Sequence, residues 1–522
     1  MTGRASGAIL CAILLMGTAA AFMPARNFAF VNWDDVDEVT ENPLLHPPTM
    51  EHLGQIWSGP CLNLYAPLTY TTWWTLARMG AGDNPYAFHL LNILLHLACA
   101  ALVFSILRLC VKAPAAAFGG AIVFALHPMQ VESVGWVAEM NNLLAAALSL
   151  AAIRLYLASG ATPPERRWII YSLGSAAYLM ALLSKPTAVV VPLIAIILDW
   201  GMLRRPLRPA VYTLLPWLAA AGAFGWIAQQ NQGGIAVPIM DRPMVALDAL
   251  GFYCRKILWP AGLTIDYART PGQVLLGHAW ITSAGIAVGL GVVLGLLRGK
   301  FRGAALGGLI ALAALLPVLG LVPFTFQEWS TVADRFIYLA MSGAALAVGT
   351  LLARLRQSAA LPVAAAAGLI LALPCRTQLQ IWQNSKTLIE HTLALDPESA
   401  VGNSLAASEL IHEGRPAQAI VFFFRSLARN PNNPYVQSNL ANALASVGKY
   451  DQAIEHFQTA IALFDPRDPL AWRAVNNLGI AYAKIGRHDL AVSQFKRVLE
   501  IDPHNPQAMQ NLQILGERVP SR

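Results

Sequence analysis

The chain has 522 residues, of which 56% are hydrophobic and only 12% are charged. Soluble domains carry about 25% charged residues, so the composition excludes an ordinary soluble enzyme and favours a membrane protein. Residues 1–374 hold 22 Lys+Arg and 16 Asp+Glu, whereas residues 375–522 hold 14 and 13. We therefore predict a multispan membrane domain over 1–374 and a soluble domain over 375–522. Because the first segment carries +6 of the net charge of +7 (22 − 16), the excess indicates membrane topology and not nucleic-acid binding.

Eleven apolar stretches approach the length of about 20 residues that a membrane-spanning helix needs. They are 6–23, 87–107, 114–127, 141–158, 168–184, 186–202, 209–229, 277–297, 303–323, 336–353 and 359–374. The first could instead be a cleaved signal peptide, because Ala19–Ala21 offers small residues. The apolar segment 244–260 is interrupted by charged residues, so we place it at the membrane surface. The six cysteines show no paired spacing, so no disulfide or metal framework is predicted.

The charged residues separate into two faces once the N-terminus is placed in the cytoplasm. Five short loops then carry the basic residues on the cytoplasmic side, as the positive-inside rule expects. These residues are Arg108, Lys112, Arg166, Arg167, Arg204, Arg205, Arg208, Arg298, Lys300, Arg302, Arg354 and Arg356. Nearly all acidic residues of the membrane domain fall on the opposite face. An odd number of spans places the C-terminal domain on that face as well.

Three glycines recur 34 and 38 residues apart in the C-terminal domain. They are Gly414, Gly448 and Gly486, followed five residues later by Ala419, Ala453 and Ala491. The units end at the turns Asn430-Pro431, Asp465-Pro466 and Asp502-Pro503, and the longer interval fits an insertion at 464–470. This spacing is the tetratricopeptide signature. Such repeats stack into a solenoid whose concave face binds an extended peptide or protein partner, and a ligand-free spacer is the alternative.

Two adjacent carboxylates, Asp34 and Asp35, follow the first apolar stretch and lie next to Trp33. Such a pair in a loop is usually just solvated. Beside an apolar wall at the membrane surface, however, the pKa of a carboxylate can rise toward that of a useful general base. The pair could hold a divalent metal, although nothing in the sequence requires one.

Other polar residues lie at the outer ends of the predicted spans. His89, Asn92 and His96 are spaced i, i+3 and i+7, so they form one stripe on the second span. Polar side chains inside a membrane are costly, so the stripe faces a polar cavity or bonds neighbouring helices. We predict a cavity on the outer face. Its predicted lining residues are Trp33, His89, His96, His127, Glu132, Trp136 and Glu139.

Two cations are exceptions on the acidic outer face. Lys185 follows the fifth span, and Arg335 begins the tenth. Both are expected near the bilayer boundary, where the phosphate of a lipid would lie. The alternative is ordinary interfacial anchoring, or an ion pair between Asp334 and Arg335.

Taken in chain order, the motifs resemble those of one family. They are Trp33-Asp-Asp, Pro67-Leu-Thr, Asn84-Pro through His96, His127-Pro through Trp136, Ser184-Lys-Pro, Asp334-Arg-Phe-Ile-Tyr-Leu and Trp382-Gln-Asn-Ser-Lys. The sequence resembles the transmembrane and tetratricopeptide repeat-containing protein O-mannosyltransferases, and most closely their bacterial relatives. That family is similar to the C-type glycosyltransferase superfamily. The match covers nearly the whole chain.

The resemblance implies an all-α fold, with a bundle of about eleven spans followed by the repeat solenoid. It implies transfer of a mannose-like sugar, with inversion, from a polyprenyl-phosphate donor to a hydroxyl acceptor on an extracytoplasmic protein or glycan. Asp34 or Asp35 would be the catalytic base, and Arg335 and Lys185 would bind the departing phosphate. No cofactor is required, and the repeat domain would recruit the acceptor or a partner protein. The expected location is the bacterial inner membrane, with the repeats in the periplasm.

One segment departs from the family pattern. Relatives usually place an Arg-Lys-Asp-like run after Glu139, but this chain has Met140, Asn141 and Asn142. The departure leaves open a different donor, greater reliance on Arg335, or lost activity. A non-catalytic membrane-anchored scaffold or assembly factor is the alternative function. A transporter is disfavoured, because ionisable residues near the midplane and internally repeated halves are not evident.

Overall fold

A computed structural model of the protein describes residues 2–61, 64–231, 237–297, 299, 301–464, 468, 471–503 and 505–517. The described residues form helices and no strand, apart from an isolated bridge between Cys61 and Leu64. The predicted all-α class is therefore confirmed. The chain divides into two compact units, Met1–Leu388 and Ile389–Arg522.

The first unit is built from long apolar helices joined by short helical turns. Its α-helices are Thr2–Phe22, Met50–Ser58, Pro67–Leu76, Pro85–Cys110, Pro114–Leu126, Val131–Gly135, Met140–Ser159, Pro164–Ser184, Val191–Ile196, Leu207–Asn231, Arg242–Leu258, Pro271–Leu276, Ala279–Leu297, Arg302–Leu315, Met341–Leu352 and Gln357–Ile381. Its 3-10 and π-helical turns are Met23–Asn27, Val36–Thr40, Ala77–Ala81, Pro128–Gln130, Pro186–Val190, Ile197–Met202, Leu316–Val318, Thr325–Glu328 and Asp334–Ile337.

The count of about eleven spans is not confirmed. By length and composition, five described helices can cross a membrane, and the number is six if one bent pair is a single span. The five are Ser6–Asn27, Pro85–Cys110, Met140–Ser159, Leu207–Asn231 and Ser358–Ile381. Every predicted stretch does contain a helix, but prolines and polar residues shorten several of them. Three apolar helices have only 10–17 residues, namely Pro186–Met202, Arg302–Val318 and Met341–Leu352.

The bent pair consists of Pro114–Leu126 and Pro128–Gly135, whose axes differ by 51°. The bend follows from Pro128, because a proline disfavours the α conformation in the residue before it, and His127 is extended. Two polar side chains bond the carbonyls freed at the break: Gln130 Nε2 donates to Phe124 at 3.0 Å, and His96 Nε2 lies 3.0 Å from the Ala125 oxygen. Glu132 lies in the short helix after the bend, and Glu139 follows that helix.

The segment between the first two long helices forms a small core of its own. Val39, Tyr70, Trp73 and Phe88 are buried there together with Val137. The short helix Val36–Thr40, which follows the two aspartates, is therefore packed against the chain that leads to Glu139.

The second unit contains paired helices, and helix Ser385–Leu395 leads into it. The others are Ala400–His412, Pro416–Arg429, Pro434–Ser446, Tyr450–Leu463, Ala471–Lys484, His488–Ile501 and Pro506–Ile514. Gly414, Gly448 and Gly486 have φ values of +73°, +80° and +78°, which glycine adopts without strain. Each therefore makes the tight turn between two helices. The alanines predicted to permit close approach, at 419, 453 and 491, are all fully buried.

Some predicted features fall on residues that the structure does not describe. They are the turn Asp465-Pro466, most of the insertion at 464–470, and the loop cations Arg298 and Lys300.

Candidate active site

Asp35 is a fully buried anchor for the loop after the first helix. Its Oδ2 accepts a hydrogen bond from the Val31 N–H at 2.9 Å, and its Oδ1 accepts one from the Ala138 N–H at 2.8 Å. Burial nevertheless raises the pKa of Asp35 to about 7, since desolvation outweighs these two bonds. Oδ2 thus fixes the loop internally, and Oδ1 joins the loop to the chain near Glu139.

Asp34 has a different environment although it is the next residue. It is half-buried, and among the described residues its carboxylate makes no hydrogen bond or ion pair. Burial raises the pKa of Asp34 to about 6; Arg335 opposes this shift, and the like charge of Glu139 adds to it. A carboxylate with a near-neutral pKa and free oxygens can take a proton from a bound hydroxyl. Of the two predicted candidates, Asp34 is the one whose carboxylate is unbonded among the described residues, and its role as the base stays a prediction.

The two predicted phosphate-binding cations lie in one cluster. Arg335 contacts Glu132 (Nη1 to Oε1, 2.5 Å) and Glu139 (Nε to Oε1, 3.3 Å). Lys185 Nζ lies 3.4 Å from the other oxygen of Glu139 and donates to Asn141 Oδ1 at 2.8 Å. Glu139 therefore bridges two cations that are 150 residues apart in the chain. Because the cluster is buried, removing one charge from it is expensive.

Aromatic rings fix the position of the Arg335 guanidinium. Its central carbon lies 4.1 Å from the centroid of the Phe326 ring, 5.0 Å from that of Phe336 and 5.3 Å from that of Trp136. These contacts hold a cation over ring faces in a site with little water. The alternative pairing of Arg335 with its neighbour Asp334 is not what the structure shows. Asp334 Oδ1 accepts a hydrogen bond from the Tyr267 hydroxyl at 2.7 Å.

Asn141 and Asn142, in the segment that departs from the family pattern, contact the two cationic residues. Asn141 accepts the hydrogen bond from Lys185, and Asn142 Nδ2 donates to the Arg335 carbonyl at 2.7 Å. Asn142 also donates to the Ser133 hydroxyl at 3.1 Å. The short polar residues therefore orient the cation pair by hydrogen bonds and contribute no charge of their own.

Three indole rings form a continuous stack beside the cluster. Trp33 stacks on Trp136 with ring centroids 5.0 Å apart, and Trp136 stacks on Trp382 at 5.4 Å. In each pair the two ring planes are inclined to each other by 23°. The stack joins the loop of Asp34, the segment after the bend and the end of the helix Gln357–Ile381. Trp382 was recognised in the sequence only as part of a motif.

The three predicted cavity histidines are buried and bonded to the surrounding framework. His89 Nε2 lies 3.4 Å from the Ala29 carbonyl oxygen, and His127 Nε2 lies 3.1 Å from that of Ile257. His96 Nδ1 lies 2.7 Å from the Tyr338 hydroxyl. None of these bonds reaches Asp34 or the cations, so a role in lining a cavity stays a prediction for these residues.

Two further residues were missed in the sequence. Glu38 belongs to the site electrostatically: burial, and then the charge of Asp34, raise its pKa well above the usual value. The Thr69 hydroxyl donates to the Ser184 carbonyl at 3.0 Å and so fixes the residue before Lys185. The motif Pro67-Leu-Thr69 was the only sequence signal for the Thr69 contact. No sequence signal pointed to Glu38.

The described residues contain no group of three or more His, Cys, Asp or Glu side chains that could hold a metal ion. A metal-independent reaction remains a prediction.

Comparisons with known proteins support the resemblance over part of the chain. A family described as tetratricopeptide repeat matches residues 438–506. "Protein O-mannosyl-transferase TMTC4" of Homo sapiens is 32% identical over 158 residues, which cover 26% of this chain and 21% of that protein. "Protein O-mannosyl-transferase TMTC3" of Mus musculus is 29% identical over 155 residues, covering 28% of this chain and 16% of that protein. The predicted family resemblance is confirmed, although the chain spans only about a fifth of these relatives' length.

Among solved structures, the first tetratricopeptide domain of Spaghetti (RPAP3), bound to an HSP90 peptide, matches with a TM-score of 0.22 and 23% identity. The match covers 23% of this chain and 93% of the RPAP3 domain. YrrB, described as a tetratricopeptide protein with an unusual peptide-binding site, has a TM-score of 0.23 and 20% identity, covering 30% of this chain and 79% of that one.

Proposed function

We propose that this relative of the transmembrane and tetratricopeptide repeat-containing O-mannosyltransferases is a membrane glycosyltransferase. One observation carries the proposal. Asp34 is a half-buried carboxylate with free oxygens and a near-neutral pKa, and it lies within electrostatic reach of the buried cations Arg335 and Lys185. A base beside two cations suits the transfer of a group from an anionic leaving group to a hydroxyl.

The reaction is a single displacement. Asp34 accepts the proton of the acceptor hydroxyl, and the acceptor oxygen forms a bond to the anomeric carbon of the sugar. The bond from that carbon to the phosphate oxygen breaks, and the electron pair leaves with the lipid phosphate. Arg335 and Lys185 stabilise the charge that develops on this phosphate. Attack from the face opposite the leaving group inverts the anomeric centre.

The donor is a polyprenyl-phosphate-linked sugar, because a lipid-linked substrate suits a site carried by membrane helices. Mannose is the proposed sugar on the strength of the relatives' names. The repeat unit is proposed to bind the acceptor, a protein or glycan outside the cytoplasm, or a partner protein that delivers it. The distribution of basic loops supports a cytoplasmic N-terminus and extracytoplasmic repeats, and the resemblance to bacterial relatives is the ground for proposing the bacterial inner membrane.

The test compares glycopeptide masses in a deletion strain complemented with wild-type protein, Asp34→Asn or Glu41→Gln. Glu41 is an exposed acid on the same outer segment, so it is the matched control. Extracytoplasmic hexose modifications should disappear with Asp34→Asn and persist with Glu41→Gln. If Asp34→Asn at normal abundance leaves every such modification in place, Asp34 is not the base and the membrane-anchored scaffold becomes the better account.

A further inference from the structure

A turn near the end of the first unit holds the loop that carries Asp34. The Ala29 N–H donates to the Gln383 carbonyl at 3.0 Å, and the Asn32 N–H donates to the Ser385 hydroxyl at 2.8 Å. Trp382 completes the stack that ends on Trp33. We call residues 382–385 the clasp. In the sequence it was the motif Trp382-Gln-Asn-Ser-Lys, and the proposed mechanism gives it no role.

The clasp is itself rigid. Asn384 Oδ1 accepts a hydrogen bond from the Thr387 N–H at 3.0 Å, and the Thr387 hydroxyl donates to the Ile381 carbonyl at 2.9 Å. Trp382 is 2% exposed. It packs against Gly135, where an added Cβ would lie 3.2 Å from the Trp382 Cβ. The clasp therefore presents its carbonyl, hydroxyl and ring in fixed directions.

The loop is held on its other side by Asp35, whose carboxylate accepts the Ala138 N–H. Asp34 thus lies in a short segment fixed both by the clasp and by the chain leading to Glu139. A catalytic base needs such support, because displacing a reacting group by about 1 Å can cost on the order of a hundredfold in rate.

We propose that Ser385 and Trp382 are positioning residues, which set the orientation of Asp34 toward the acceptor by fixing the backbone of residues 29–33. This rests on the proposed function. The clasp touches no reacting atom in this account and acts only through the loop. The same chain segment then runs into the repeat unit through the helix Ser385–Leu395.

The test uses full-length Ser385→Ala and Ser385→Thr, with Ser446→Ala as control, because among the described residues the Ser446 hydroxyl bonds only to its own helix at Ala443. Polyprenyl-phosphate mannose is the donor probe, and the acceptor is a protein that loses its hexose in the deletion strain. Ser385→Ala should lower kcat about three- to tenfold, the usual effect of one lost hydrogen bond, with little change in donor KM. Ser385→Thr, which keeps the oxygen, should restore kcat.

The pH profile separates positioning from a general loss of folding. The charged groups that face Asp34 are Arg335, Lys185, Glu139, Asp37 and Glu38. A looser loop hydrates its carboxylate, so the acid limb of kcat should move to lower pH in Ser385→Ala. Hydrogen exchange at residues 28–36 should also quicken, a readout that does not depend on activity.

The proposal would be overturned if Ser385→Ala kept the wild-type kcat, pH profile and hydrogen exchange while Trp382→Leu, at normal abundance, also kept the wild-type kcat. Equal losses in Ser385→Ala and Ser446→Ala would overturn it as well. These outcomes are distinct from failure of the proposed function, in which the wild-type protein transfers no sugar and Asp34→Asn changes nothing.

Discussion

Glu139→Gln is the most informative substitution, because Glu139 is the shared partner of both cations. The formal charges of Asp34, Glu132 and Glu139 (−3) and of Arg335 and Lys185 (+2) sum to −1. Glutamine keeps the size of the side chain and an acceptor oxygen but raises the sum to zero. The two cations then act more strongly on Asp34 and on an arriving phosphate.

The size of the effect follows from the Asp34 environment. Burial is the main cause of the raised pKa of Asp34, and the like charge of Glu139 adds to it. Removing the Glu139 charge should therefore lower the Asp34 pKa, by about one unit for a neighbouring charge. On the proposed mechanism Asp34 must be deprotonated, so the wild-type kcat should fall about tenfold per pH unit below about 6. In Glu139→Gln this acid limb should lie near pH 5, and the plateau kcat should fall because the base is weaker.

The donor should respond in the opposite direction. With one competing carboxylate gone, the phosphate gains about 1.4 kcal/mol of interaction, so the donor KM should fall about tenfold. The measurement is a pH series of initial rates with polyprenyl-phosphate mannose, using Glu41→Gln as the charge-matched control. An acid limb that stays in place or moves to higher pH would refute the electrostatic reasoning, as would a raised donor KM.

Two further predictions concern stability. In Asp35→Asn, the amide NH2 cannot accept a hydrogen bond from one of the two backbone N–H groups. The free energy of unfolding should therefore fall by about 1–3 kcal/mol. Asp34→Asn should keep the wild-type Tm in detergent. Equal Tm values for the two variants would contradict the assignment of Asp35 as the structural member. In Gly448→Ala, a φ of +80° should cost about 1–2 kcal/mol and lower the Tm of the repeat unit, whereas Gly54→Ala, with open space around it, should not lower the Tm.

The features that could be predicted from the sequence were those that depend on a local repeat pattern. The glycine turns at 414, 448 and 486 repeat at near-constant spacing, and each needs only its own neighbours to form. The span count is not confirmed, because hydropathy does not show where a helix ends: several apolar stretches form helices too short for a full crossing. Apolar composition alone does not set helix length.

Some of the clustered residues could be predicted from the sequence, but the three histidines bond elsewhere, Glu38 and Thr69 were missed, and the arrangement could not be predicted. The distinction between Asp34 and Asp35 depends on the Ala138 N–H, which lies 103 residues away in sequence. The bridging role of Glu139 depends on two cations brought together from distant segments. Trp382 had no signal beyond its motif, because stacking on Trp136 exists only in the folded chain.

The bend at Pro128 also bears on how the protein is inserted into the membrane. A lipid bilayer offers no partners for the carbonyls of Phe124 and Ala125, and one of the two groups that bond them, His96, belongs to the preceding helix. The broken span therefore lacks a partner for Ala125 until the helix Pro85–Cys110 lies beside it. We expect the two to leave the insertion machinery as a hairpin, so that biogenesis couples them before any substrate is present.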